Sequence, residues 1–135
     1  MPSGDAVPSI RAAHGVLQRL EGLPFPTVAA INGYCLGGGL ELAMACRHRV
    51  CADDPKVTLG LPEVMLGIHP GFGGTVRAVR LMGVATAMDL MLTGRSLSAS
   101  AAKAMGLVDR VVDHALLLDE AVKLAQRGMQ RPFKQ

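Results

Sequence analysis

The feature that most limits what this chain can fold into is the run Gly37-Gly38-Gly39. It stands between an apolar stretch, Thr27–Asn32, and a string of good helix formers, Leu40–Cys46. Thr27-Val-Ala-Ala-Ile-Asn32 has no polar alternation and is bounded by Pro26 and Gly33, so it reads as a buried strand. The stretch Gly33–Gly39 reads as a loop, and Leu40-Glu-Leu-Ala-Met-Ala-Cys46 as the helix it leads into. Such a strand–turn–helix leaves backbone N–H groups pointing outward at the helix N-terminus, where partial positive charge collects. Glycines let the backbone pass close to a ligand. The turn alone fits two readings equally: an anion or oxyanion cradle, or close packing of helix on strand.

Named glycine motifs narrow the chemistry. A P-loop requires Lys followed by Ser or Thr after its last glycine, and Gly39 is followed by Leu40-Glu41. Neither Gly37-Gly38-Gly39-Leu40-Glu41-Leu42 nor Gly71-Phe72-Gly73-Gly74-Thr75-Val76 has the Gly-x-Gly-x-x-Gly spacing of a dinucleotide site. A Gly-x-Ser-x-Gly elbow is absent. A turn suited to an oxyanion remains.

The rest of the chain alternates short strands with helices. Val7, Ile10, Ala13, Leu17 and Leu20 make one helical stripe, closed by Gly22, Pro24 and Pro26. Arg49–Asp53 and Val57–Leu59 read as strands, and a Gly/Pro-rich loop runs from Gly60 to Gly74. Val76–Leu81 and Val84–Leu92 read as short helices. Ser98–Met105 is a helix with Ser98 as N-cap and Gly106 just past its end. Leu107–Val112 is a last strand, and Ala115–Met129 a final amphipathic helix with Leu117, Ala121, Leu124 and Ala125 on one side. No sequence repeat is evident. With 135 residues the chain suits one α/β domain: a leading helix over 1–22, a core over 23–112 and a C-terminal helix over 113–135.

Two carboxylates stand out. Glu41 lies in the first helical turn among Leu, Ala, Met and Cys. Desolvation there would favour its protonated form and suit it to acid/base work; complementing the helix dipole is the plainer role, and the two are compatible. Glu63 follows Pro62 in Leu59-Gly-Leu-Pro-Glu63-Val-Met-Leu-Gly-Ile68, again among apolar neighbours. Two acids beside an oxyanion turn suggest a paired site.

Composition excludes other classes. The net charge is +3 at pH 7, but Arg47, Arg49, Arg77, Arg80 and Arg110 form no run, so they read as solvated surface rather than a nucleic-acid footprint. Cys35, Cys46 and Cys51 lack metal-ligand spacing and read as buried free thiols of a reducing, cytoplasmic setting. No apolar stretch is long enough to span a membrane, and Pro2 and Asp5 do not open a secretory signal. With no Trp, one Tyr and three Phe, the core must come from Leu, Val, Ala and Met. Met65, Met82, Met88, Met91 and Met105 read as core.

Several stretches together resemble a known family. They are Pro26-Thr-Val-Ala-Ala-Ile-Asn-Gly-Tyr-Cys-Leu-Gly-Gly-Gly-Leu-Glu-Leu-Ala43, then Leu61-Pro-Glu63, Gly67-Ile-His-Pro-Gly-Phe-Gly-Gly-Thr75, Leu92-Thr-Gly94, Ala101-Ala102 and Gly106-Leu-Val108. In order and spacing they resemble the enoyl-CoA hydratase/isomerase (crotonase) superfamily from about Leu23 to about Ala125. Pro70-Gly-Phe-Gly-Gly-Thr-Val-Arg77 is most similar to the hydratase domain of the multifunctional bacterial fatty-acid-oxidation α subunit.

The resemblance implies a crotonase-like fold, a superhelix of repeated ββα units, truncated at both ends relative to the family. It implies addition of water to a trans-2-enoyl-CoA thioester in fatty-acid β-oxidation, with coenzyme A as part of the substrate and no cofactor or metal. Gly38 would donate an oxyanion N–H. Glu41 would act on the water and Glu63 on the proton at the alpha carbon. Leu36, Gly37, Leu61, Pro62, Ile68, Pro70, Gly71 and Phe72 would bind the substrate, with the loop Ile68–Gly74 bordering the acyl pocket, and His69 would have no catalytic role. The implied alternatives are an isomerase that moves the double bond of an enoyl-CoA, dependent on Glu63 alone, and a silent acyl-CoA-binding or assembly module. Expected partners are other copies of the chain, through open sheet edges, or a thiolase subunit in a longer parent; no nucleic acid or membrane partner is expected.

Overall fold

The computed structural model describes residues 6–62 and 74–130. Helix α1 (Ala6–Glu21) comes first. It closes where Gly22 donates to the carbonyl of Gln18 at 3.0 Å, ahead of Pro24 and Pro26, which cannot continue a helix. Strand β1 (Val28–Ile31), strand β2 (Tyr34–Leu36) and helix α2 (Gly38–Ala45) follow. The same step then recurs as β3 (His48–Ala52), β4 (Thr58–Gly60) and α3 (Gly74–Met82). Helices α4 (Val84–Thr93) and α5 (Ala99–Ala104), strand β5 (Arg110–Val112), a 3-10 turn (His114–Leu116) and α6 (Leu117–Gln130) complete the order.

The two strands of each unit enter different sheets. One sheet has the order β1-β3-β5 and the other β2-β4, and all named pairs are parallel. Val28 pairs with His48 and Tyr34 with Thr58, so each unit lies beside its predecessor in both sheets at once. This is the expected superhelix of ββα units, carried by geometry and not by a repeated sequence.

Three elements differ from the sequence reading. The stretch Gly33–Gly39 is not all loop: it contains β2, because the Tyr34–Leu36 backbone joins a parallel ladder with β4 and buries Cys35. Gly38 and Gly39 are the first two residues of α2. The last strand begins at Arg110 and not at Leu107, because the N–H groups of Leu107 and Val108 both turn back to the carbonyl of Ala102 and close α5. The cap of α5 is as expected: the Ser98 hydroxyl accepts from the N–H of Ala101 at 3.2 Å.

The core is mainly Leu, Val, Ala and Met, with Leu40, Leu59, Leu61, Leu90, Leu97 and Leu107 essentially sealed from water. Each such side chain is worth about 1.5–3 kcal/mol of transfer free energy. Met91 is buried and Met82 and Met105 are half-buried, but Met88 stands on the exposed face of α4; Met65 lies outside the described residues. Helix α6 covers β1 and β3 with its Leu117, Ala121 and Leu124 face, while Ala125 is only half-buried. No helix among the described residues is long and apolar enough to cross a membrane.

Candidate active site

The two sheets bring separate parts of the sequence together at one end of β2 and β4. Leu36 pairs with Gly60 in the parallel register. One residue further, the N–H of Gly37 donates to the carbonyl of Gly60 at 3.0 Å. The turn that opens α2 is thereby hung from the segment Gly60-Leu61-Pro62. Gly37 has φ 56° and ψ −123°, a conformation that a side chain would strain.

Helix α2 starts there without a side-chain cap. Its first ladder bond runs from the N–H of Glu41 to the carbonyl of Gly37 at 3.0 Å. The N–H groups of Gly38, Gly39 and Leu40 come before that bond and are not used by the helix. They emerge where the partial positive charge of the helix collects. Gly38 and Gly39 are exposed, whereas Leu40 and Glu41 are buried. The Glu41 side chain, at 1% exposure, is among the largest fully buried in the molecule. A carboxylate is thus enclosed one turn behind exposed backbone donors.

Of the expected substrate-binding residues, Leu36, Gly37, Leu61 and Pro62 meet at this end of the sheets. Leu61 is fully buried, and Leu36, Gly37 and Pro62 are half-buried. Glu63, Ile68, Pro70, Gly71 and Phe72, like His69, lie outside the described residues.

Arginines expected at the surface are partly internal. Arg77 is buried and donates to Glu21 at 2.6 Å, which ties α3 to α1. Arg49 is 3% exposed. Its Nε donates to the carbonyl of Leu107 at 2.8 Å, and its Nη1 to the carbonyls of Ala43 at 3.2 Å and Cys46 at 2.6 Å. Burial pushes its guanidinium below the ordinary value, against the pull of Asp109. The signal in the sequence was a charged residue inside the strand His48–Ala52, whose later residues are all apolar.

The thiols are quiet. Burial pushes Cys35 up to about 11 and Cys51 up to about 12, with the neighbouring thiols adding to each shift. Cys46 is half-buried rather than buried, and its pKa too is raised, again by burial.

Comparison with known proteins bears on the family and the fold. The sequence matches the family described as Enoyl-CoA hydratase/isomerase over residues 7–134. The chain belongs to the enoyl-CoA hydratase/isomerase family. It is 58% identical over 117 residues to the fatty acid oxidation complex subunit alpha of Shewanella frigidimarina, covering 87% of this chain and 16% of that protein. An enoyl-CoA hydratase structure from Bacillus anthracis superimposes with a TM-score of 0.89 at 41% identity, over 97% of this chain and 50% of that one. The enoyl-CoA hydratase of Thermoplasma volcanium gives 0.84 at 34%, over 97% and 51%. The chain therefore spans about half the length of these hydratase structures and a smaller part of the Shewanella protein. The α/β crotonase fold read from the sequence is the fold of this family member.

Proposed function

We propose that this chain carries the acid/base and oxyanion elements of an enoyl-CoA hydratase, which adds water across the double bond of a trans-2-enoyl-CoA in fatty-acid oxidation. One observation carries the reading most. The hydrogen bond from Gly37 to Gly60 sets the exposed N-terminus of α2, with Glu41 enclosed behind it, beside the segment that leads into Glu63.

In this reading Glu41 holds and activates the water that attacks the beta carbon. Electron density moves onto the thioester oxygen, and the Gly38 N–H stabilises the resulting enolate charge. Glu63, protonated at the outset, gives that proton to the alpha carbon, Glu41 takes the proton the water loses, and exchange with solvent restores both carboxyls. Preorganised donors of this kind are worth about 2.7–4 kcal/mol of barrier each. Coenzyme A enters as part of the substrate, and the mechanism calls for no separate cofactor. The three free thiols fit a reducing, cytoplasmic setting. Strands β1 and β2 each stand at the edge of their sheet, which favours association with a second copy; sedimentation as a clean folded monomer would count against that.

The test is hydration of crotonyl-CoA, followed by loss of the enoyl-thioester absorbance, in the wild-type chain and in Glu41→Gln and Glu63→Gln. Loss of rate in both variants supports hydration. Absence of hydration together with conversion of a 3-enoyl-CoA to the 2-enoyl-CoA, lost in Glu63→Gln and kept in Glu41→Gln, turns the reading to double-bond isomerisation. Saturable acyl-CoA binding without turnover in any form makes the chain a binding module.

A further inference from the structure

We propose that Arg49 is a positioning residue for the thioester site: from the C-terminal end of α2 it fixes the direction of that helix, and so the aim of the Gly38 N–H and the placement of Glu41 at the other end. This rests on the reading of the α2 N-terminus as the oxyanion donor.

Helix α2 has only eight residues, with neither a side-chain cap at its start nor a basic residue in its last turn. The last carbonyls of a helix have no partner within it. Here the carbonyl of the cap residue Cys46, and that of Ala43, which also accepts from the N–H of Cys46 at 3.1 Å, both accept from Arg49 in the next strand. The same guanidinium reaches the carbonyl of Leu107, in the link between α5 and β5. The backbone around it is held as firmly. The N–H of Arg49 donates to Oδ2 of Asp109 at 2.8 Å, and the N–H of Asp109 donates to the carbonyl of Arg49 at 2.9 Å. One side chain therefore joins α2, β3 and the approach to β5.

Geometry turns this clasp into a functional lever. A helix of eight residues is about 12 Å long. A tilt of about 5° at one end moves the other by about 1 Å, and a misplacement of about 1 Å can cost about 100-fold in rate. The planar fork of arginine reaches carbonyls in two directions. A lysine ammonium is a single point of charge and cannot hold the same set.

The experiment compares the wild-type chain with Arg49→Lys and Arg49→Met, using backbone amide NMR and butyryl-CoA labelled at its thioester carbonyl carbon. Butyryl-CoA has no double bond to hydrate, so its carbonyl reports polarisation alone. In Arg49→Lys, amide exchange protection of β1 and β3 stays at the wild-type level. The Gly38, Gly39 and Leu40 resonances move, and the carbonyl displacement produced by the wild type shrinks. Where hydration is measured, kcat falls about 10- to 100-fold with KM little changed. Arg49→Met, if it folds, shows the same pattern more strongly; if it does not, the Lys variant decides. Unchanged Gly38–Leu40 resonances and an unchanged carbonyl signal in Arg49→Lys would overturn the proposal, as would a general loss of protection with no selective effect at α2. A wild-type chain that binds butyryl-CoA without displacing its carbonyl signal sinks the thioester reading. The amide pattern then still decides whether Arg49 aims α2.

Discussion

The backbone N–H of Gly37 donates to the carbonyl of Gly60 at 3.0 Å, so the turn that starts α2 hangs from the end of β4. Both partners have reasons to be glycine. Gly37 sits at φ 56°, and a Cβ on Gly60 would stand 3.0 Å from the carbonyl oxygen of Arg95. Gly37→Ala should cost about 1–3 kcal/mol in urea unfolding, and Gly60→Ala should also destabilise. Gly39→Ala lies in the helix with nothing within 4 Å of its new Cβ, and should gain about 0.4–1 kcal/mol. Equal effects at Gly37 and Gly39 would show that the turn is not held as described.

Two helix-interior glycines should respond in opposite directions. Gly15 in α1 has open space where a Cβ would go, whereas a Cβ on Gly128 in α6 would lie 2.6 Å from Cγ of Pro26. Gly15→Ala should stabilise by about 0.5–1 kcal/mol. Gly128→Ala should destabilise by about 1–3 kcal/mol, because α6 must lift from the start of β1. Thermal unfolding of the two variants measures this directly, and a stabilised Gly128→Ala would contradict the packing of α6.

Activity should track the two carboxylates. Glu41→Gln and Glu63→Gln should each lower crotonyl-CoA hydration by about 100- to 10,000-fold, the usual worth of a positioned acid or base. Circular dichroism should show the Glu41→Gln chain folded, since the amide has the shape of the carboxyl it replaces. Wild-type rates in both variants would remove them from the mechanism.

Alkaline stability should depend on two thiols. Burial pushes Cys35 up to about 11 and Cys51 up to about 12 in the folded chain, from an ordinary value of 9.0. The folded state thus holds these protons more tightly than the unfolded state. Their contribution is complete below pH 9.0 and is lost as pH rises through the folded values. Cys51→Ala should reduce the loss of denaturation midpoint between neutral and strongly alkaline pH, and an unaltered slope would argue that Cys51 is not enclosed.

His48 should act on the acid side. Burial first, and then Arg49, Arg47 and Arg110, push its imidazole below 6.5, while Asp109 opposes them. Its 3.9 Å approach to Asp109 is therefore not an ion pair near neutral pH. The unfolded state binds the proton more readily, so this contribution is present above pH 6.5 and is lost as pH falls through the folded value. His48→Gln should flatten stability against pH just below 6.5, as read by urea midpoints.

The sequence determined much by itself. The apolar run Thr27–Asn32, the glycine triplet and the Leu-Ala-Met string specify strand, turn and helix through local sterics and hydrophobic pattern, so β1 and α2 were legible. Ser98 and Gly106 marked the ends of α5, because capping is also a local matter. Glu41 stood out as a charge among apolar neighbours. Other features required partners distant in sequence. Strand β2 is too short to have a period of its own and exists through its ladder with β4. The first residues of the expected last strand, Leu107 and Val108, were claimed by the end of α5. Arg49 looked like one more surface cation until its guanidinium met the carbonyls of Ala43, Cys46 and Leu107. Local propensity and burial pattern settle which elements form. Which backbone groups answer one another across the fold, and hence where Gly37 hangs and where α2 points, was decided only when the two parallel sheets came together.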